Sequence, residues 1–509
     1  MSISGLDDLR ALRWVEQKIR AQDPADADSL KGRLTEGPYR HRYELPPPFT
    51  PHGGGSIDDV IASLAERLTT KRFSSTEERH ASSAVPAGYT YFGQFITHDL
   101  SLFGHRRLLY RAQDRRLGNL RTPRFDLDSV YGKGPEGSPH VYSMPWQASR
   151  AHERASFLLS KNLEGEDDLL RAKHGAAVIP DHRNDENVIV SQVHLAIQKV
   201  HNRILQGRLR QPGAGSLAEE FFLARKQTIW NYQWLVFHEY LPRLLDPKVA
   251  KKLADALAAV AHGPAPEYDE RFGILPEATL QPGPWLPVEF VLAGMRFGHA
   301  MVRSKYVLNS RTSSIDILGE DHANLDHHLQ GGRPLVPNWT VDWAFFFDEE
   351  NKKSECSSPP LQFASPIGPR LTHLLGRLPR GPLQESPMRL NLAALTLTLG
   401  VRFGLTSGQH LAREMGKDGL DVEVLDECTE TPLADALWPY VLREAESEHQ
   451  GKRLGRVGSW ILLQAFWSRL VHDDSSFLYA TTPYRPSAWP NGADGAETIL
   501  AFLKAGDQA

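Results

Sequence analysis

The chain has 509 residues, with 58 Lys plus Arg against 62 Asp plus Glu, a formal charge of −4, and two cysteines, Cys356 and Cys428. That balance argues against a nucleic-acid binder, and two distant cysteines exclude a disulfide framework or a clustered zinc site. Charges interrupt the N-terminal MSISGLDDLRALRWVEQKIR where a secretory leader would be apolar, and SWILLQAFW and NLAALTLTLG are about half the ~20 residues that cross a bilayer, so a cytoplasmic protein without a membrane span is expected.

Residues 1–36 read as a polar helix and loop, and the Pro/Gly-rich 37–55 reads as irregular chain, giving an N-terminal arm and linker over 1–56 ahead of one large domain over 57–509. In PAGYTYFGQFITHDLSLF, Gln94 and His98 are four residues apart, so on a helix they leave one face a turn apart. The arginine-rich run from Arg106 to Arg124 reads as an exposed face. TPRFDLDSVYG sets Asp126 and Asp128 in alternation near the Thr122 hydroxyl and backbone carbonyls, which are hard oxygen donors of the kind calcium takes, and Asp99 could complete the set.

PDHRNDENVIV then places Arg183 and Glu186 at the start of a long helix. There Ile189, Val193, Ile197, Val200 and Ile204 recur at helical steps and predict one buried face. FFLARKQTIWNYQWLVFHEY, VEFVLAGMRFGHAMV, NLAALTLTLGVRF and VGSWILLQAFWSRLV are further helical segments, whereas alternating strand patterns are few and short, so the fold is expected to be mainly α. On the MRFGHAMVR helix, His299 has Arg296 and Arg303 at i−3 and i+4. EDHANLDHH is rich in metal-ligand types without a recognised spacing and reads as a solvated loop. Phosphate-cradling, nucleophile-elbow and HExxH signatures do not occur.

The ordered set LRTPRFDLDSVYG, RNDEN, HNRIL, FGHAMVR, GLTSGQHLAR and GKRLGRVGSW, spread between about Val85 and Phe477, resembles the animal-type haem peroxidases of the peroxidase and cyclooxygenase superfamily, in a bacterial style. The resemblance implies a large helical body around one buried haem b. His98 would be the distal histidine, Gln94 its partner, Arg183 the distal arginine and His299 the proximal iron ligand. Arg296 would pair with a haem propionate, and calcium would be held by Asp99, Thr122, the Arg124 carbonyl, Asp126 and Asp128. Relatives that esterify haem twice have an acid where this chain has Thr97. Glu186 stands at the second position, so at most one ester link is implied. Counting back from Gly404 puts Thr396 where relatives carry an asparagine that accepts a hydrogen bond from the proximal histidine. The implied activity is reduction of hydrogen peroxide with oxidation of a small organic or halide donor. A fatty-acid dioxygenase is the first alternative, but such enzymes need a tyrosine three residues before the proximal histidine, where this chain has Arg296. A non-catalytic haem- and calcium-binding protein is the second alternative.

Overall fold

A computed structural model describes residues 39–40, 57–69, 84–105, 117–143, 155–261, 285–319, 327–348, 361–378, 391–428, 433–486 and 496–507. Most of the expected arm, most of the 106–124 arginine run, most of EDHANLDHH, and Cys356 lie outside these residues. Within the arm, Tyr39–Arg40 pairs in parallel with Leu286–Pro287, so this part of the Pro/Gly-rich segment is a short strand and not irregular chain.

The longer described helices are α1 (Ile57–Thr69), α2 (Gly88–Leu100), α3 (Val188–Leu209), α4 (Leu217–Leu235), α5 (Pro247–Ala261), α6 (Leu392–Arg402), α7 (Gly408–Lys417), α8 (Leu437–His449), α9 (Arg456–Val471) and α10 (Ile499–Ala505). Strands among the described residues are two or three residues long and form two-stranded pairs, in keeping with the mainly α expectation. Helix starts follow the sequence chemistry. Asn187 accepts from the Val190 amide at the head of α3, and Ser216 and Glu219 form a reciprocal capping box on α4. Asn391 accepts from the Ala393 and Ala394 amides ahead of α6.

The predicted stripe Ile189, Val193, Ile197, Val200 and Ile204 is fully buried, and α3 also buries His194, Gln198 and His201 on its other sides. It is packed by α2, α4 and α10. In α9 every residue from Val457 to Val471 is buried, which explains its lack of a polar face.

Two segments depart from α geometry. The expected helix VEFVLAGMRFGHAMV consists of a π-helical turn, Phe290–Gly294, a 3-10 turn, Met295–Phe297, and one α turn, Gly298–Met301. It stops before Arg303, which therefore does not share a helical face with His299. The Arg303 guanidinium instead donates to the Phe363 carbonyl. A second π turn, Val236–Tyr240, continues α4 and places Tyr240 against α2.

Close approach to α2 requires glycine at two places. A Cβ at Gly88 would collide with the Phe347 ring and the Phe346 carbonyl, and one at Gly93 would collide with the Tyr240 hydroxyl. Tyr240 is buried and cannot swing away freely. Gly93→Ala should therefore destabilise the fold by about 1–3 kcal/mol, the usual cost of overpacking, read as a lower urea midpoint at unchanged slope.

Candidate active site

One cavity is lined by Gln94, Thr97 and His98 of α2, by Arg183, Glu186 and Asn187 from the turn leading into α3, and by Arg296, Gly298 and His299. Its remaining wall is largely apolar, with Val291, Met295, Phe297, Met301, Leu375 and Leu392 among the contributors. The structure thus brings together the residues expected on the distal side with those expected on the proximal side.

Helix α2 turns Gln94 and His98 to the same cavity, as their i, i+4 spacing predicts. His98 Nδ1 lies 2.9 Å from Asn184 Oδ1. Burial first, and the Arg183 guanidinium second, push the His98 imidazole down to about 3, so the ring is neutral near pH 7. Gln94 is gripped at both ends: its Nε2 donates to Glu186 Oε2 at 3.1 Å, and its Oε1 accepts from Asn187 Nδ2 at 3.2 Å. The amide is thereby oriented before any ligand arrives. Thr97, at the first ester position, spends its hydroxyl on the Gly93 carbonyl.

Arg183 sits in a 3-10 turn, His182–Asp185, headed by Asp181, a residue absent from the sequence-based set. Asp181 is wholly buried. It accepts from Arg183 Nε at 3.0 Å and from a terminal nitrogen at 2.7 Å, while that nitrogen also donates to the His98 carbonyl at 2.9 Å. The guanidinium is thus fixed in orientation and its charge is partly compensated. Arg183 in turn holds the Asp181 carboxyl well below the usual range, against the effect of burial. The D-x-R spacing in PDHRN was the available signal for this pair.

On the other side His299 lines the cavity, and its Nδ1 is buried without a hydrogen-bond partner. Thr396, where relatives carry the asparagine acceptor, makes no bond to this nitrogen. The Thr396 hydroxyl donates to the Leu392 carbonyl one turn back at 2.9 Å and receives Arg296 at 3.4 Å, so it does not accept from His299. Asn391, the other candidate acceptor on that stretch, is engaged in capping α6 and in contacts with α1. Arg296 lines the cavity, donates through Nε to the Val291 carbonyl at 3.2 Å, and helps burial push His299 down to about 3.

These features fit a haem. The cavity offers a half-buried neutral imidazole, apolar side chains for a flat macrocycle and a cation, Arg296, for a carboxylate. A Cβ added at Gly298, beside His299, would meet no atom within 4 Å, so this wall is open on the cavity side.

Behind His98, carboxylate oxygens of Asp99, Asp126 and Asp128 lie within 4.8 Å of one another. Asp99 is fully buried and accepts from the Leu127 amide and from the Ser129 hydroxyl at 2.9 Å. The Thr122 hydroxyl donates to Asp126 at 2.7 Å, and the Thr122 amide donates to Asp128 at 3.0 Å. Burial and the two neighbouring acids push Asp99 well up, and Asp128 rises to about 6. Arg121 offers partial compensation at 3.5 Å from Asp128, whereas the Arg124 side chain is exposed and turns to Asp473. Three crowded, partly buried carboxylates with hard oxygens fit a divalent cation of the calcium type.

Residues 104–335 match the family model described as animal haem peroxidase. That match spans a little under half of the chain and agrees with the resemblance that the sequence motifs carry. A peroxidase-like protein of Margaritifera margaritifera is 27% identical over 124 residues, a stretch covering 24% of this chain and 14% of that protein. Among solved structures, peroxidase A from Dictyostelium discoideum is similar with a TM-score of 0.59 at 14% identity, covering 92% of each chain. A fatty acid alpha-dioxygenase of Arabidopsis thaliana is similar at 0.53 and 16%, covering 87% of this chain and 74% of that one. An Oryza sativa fatty acid alpha-dioxygenase solved with palmitic acid reaches 0.56 at 12%, covering 99% and 95%.

The open wall at Gly298 offers a check on the fit of haem to this cavity. Gly298→Ala should leave the urea midpoint unchanged or slightly raised, since alanine favours a helix by roughly 0.5–1 kcal/mol over glycine. It should nevertheless weaken uptake of added haem, measured as Soret absorbance in a titration.

Proposed function

We propose that this chain is a haem-dependent peroxidase that reduces hydrogen peroxide and oxidises small organic or halide donors. The observation that carries the reading is the meeting of His98, Gln94, Arg183 and His299 on one largely apolar cavity. When bound there, haem would supply the redox chemistry that breaks the peroxide O–O bond; His299 would ligate its iron, Arg296 would pair with one of its carboxylates, and Glu186 would be the residue open to one ester link.

The chain's own part is to bind peroxide, move one proton and stabilise charge. Neutral His98 takes the proton from one peroxide oxygen and returns it to the other, which leaves as water. Charge building on the departing oxygen faces the Arg183 guanidinium, which is held rigid by Asp181 and the His98 carbonyl and so need not reorganise. Gln94, pinned by Glu186 and Asn187, orients the incoming peroxide. On the proximal side, a His299 ring nitrogen with no acceptor and a cation nearby is a less basic ligand than one bonded to an amide carbonyl or carboxylate.

The likeness to fatty acid alpha-dioxygenases is one of fold. The position three residues before His299 is Arg296, whose guanidinium is tied to the Val291 carbonyl and Thr396 and cannot form a tyrosyl radical. Oxygen uptake with palmitic acid as probe tests this alternative, and turnover of the fatty acid without peroxide would replace the peroxidase reading.

His299→Ala should lose the Soret band. His98→Ala should keep it while the rate with peroxide falls by ~10²–10⁴-fold in stopped flow. Retention of the wild-type rate by the His98 variant would remove His98 from the mechanism.

The His98 imidazole, lowered to about 3, is unprotonated and able to act as a base throughout the neutral range. Its protonation abolishes the base, so the rate should fall only as pH drops through about 3. From pH 8 down to about 5 the peroxide reaction should show no acid limb belonging to this group, which a pH profile of the second-order rate constant checks.

The Asp99, Asp126 and Asp128 cluster is proposed to hold one calcium, with Thr122 and the Arg124 carbonyl as further donors. A cation there neutralises the mutual repulsion and fixes the residue next to His98. Chelation should lower the melting temperature and added calcium restore it, whereas Asp126→Asn should remove the response to calcium.

A further inference from the structure

The Asn184 side chain joins two buried imidazoles. Its Oδ1 lies 2.9 Å from His98 Nδ1, and its Nδ2 lies 3.0 Å from His194 Nδ1. Asn184 and His194 are wholly buried and His98 nearly so, and His194 Nε2 has no hydrogen-bond partner. Asn184 is held in the 3-10 turn, where its amide donates to the Asp181 carbonyl, and His194 stands on α3, packed edge-on to Phe95.

An amide has one accepting end and one donating end, so the two neutral imidazoles it bridges must present opposite tautomers. The ring at Oδ1 must carry its proton on Nδ1, and the ring at Nδ2 must have Nδ1 bare. We propose that Asn184 is a positioning residue that sets the tautomer of His98. It holds the proton on Nδ1 so that Nε2 is the bare nitrogen, while His194 accepts from the other end of the amide. In the reversed orientation Nε2 would carry the proton and His98 could not accept one from peroxide.

This inference deepens the peroxidase reading and rests on it for its consequence, but the tautomers themselves can be measured without turnover. The full chain labelled with 15N-histidine distinguishes protonated from bare ring nitrogens by their chemical shifts, with His98→Gln and His194→Gln assigning the two rings. The expected result is His98 protonated on Nδ1 and His194 on Nε2. The opposite pair, or the same tautomer on both rings, overturns the proposal.

Two variants separate a positioning role from a packing role. Asn184→Leu removes both bonds at similar size and should slow the reaction with peroxide on the order of 10–100-fold with the Soret band retained. Asn184→Asp accepts at both ends, so it should leave His98 protonated on Nδ1, move the His194 proton to Nδ1, and restore most of the rate. If both variants lose the rate in parallel with their loss of stability, Asn184 only fills space and the proposal fails. Wild-type protein inert to peroxide would refute the peroxidase reading while leaving the tautomer result standing.

Discussion

Placing Asp181 in the interior is the constraint on which the distal side depends. A buried carboxylate must have cationic or hydrogen-bonding partners to remain charged, and Asp181 obtains them from Arg183 through three donors and from Arg121 at 3.5 Å. Arg183 also reaches the carbonyl of His98, and Arg121 also reaches Asp128. One acid therefore ties the end of α2, the turn before α3 and the acidic loop into a single charged network. Removing either partner would leave the other buried and uncompensated, which is typically far more costly than the net worth of the pair.

Much of this arrangement was legible in the sequence because it depends on local periodicity. Gln94 and His98 share a face by their spacing, and the buried stripe of α3 follows from the steps of Ile189, Val193, Ile197, Val200 and Ile204. Asp126 and Asp128 converge with Asp99 as their alternation suggested. Partners chosen across the fold were not legible. Asp181, Asn184 and His194 read as an ordinary turn and a helical interior, and only the tertiary approach of α2 to that turn gives them their roles.

The proximal side departs from the expected helix for an identifiable reason. Arg303 was placed by assuming an uninterrupted α-helix through 288–302, yet the chain passes through π, 3-10 and α turns within that stretch, so fixed i−3 and i+4 offsets do not apply. Thr396 falls on α6 where the count places it and, as competition with the helix backbone would have it, satisfies its hydroxyl on the carbonyl four residues earlier. An asparagine side chain, longer and with separate donor and acceptor atoms, is not confined in this way.

The π turn at Phe290–Gly294 also bears on how the segment could change over time. Each residue of an α-helix advances the chain by about 100° around its axis, so an added or lost residue upstream would ordinarily point His299 away from the cavity. A wide turn of this kind accommodates a surplus residue locally. Gly294, at the end of the turn, lies so close to Ile461 of α9 that a Cβ there would collide with it, which pins the turn against the core. Sequence length before Gly294 and helical phase after it are thereby partly uncoupled. Homologous chains can differ by one residue in this stretch and still direct the same imidazole inward, and alignments that forbid a gap there will misplace every residue on one side of it.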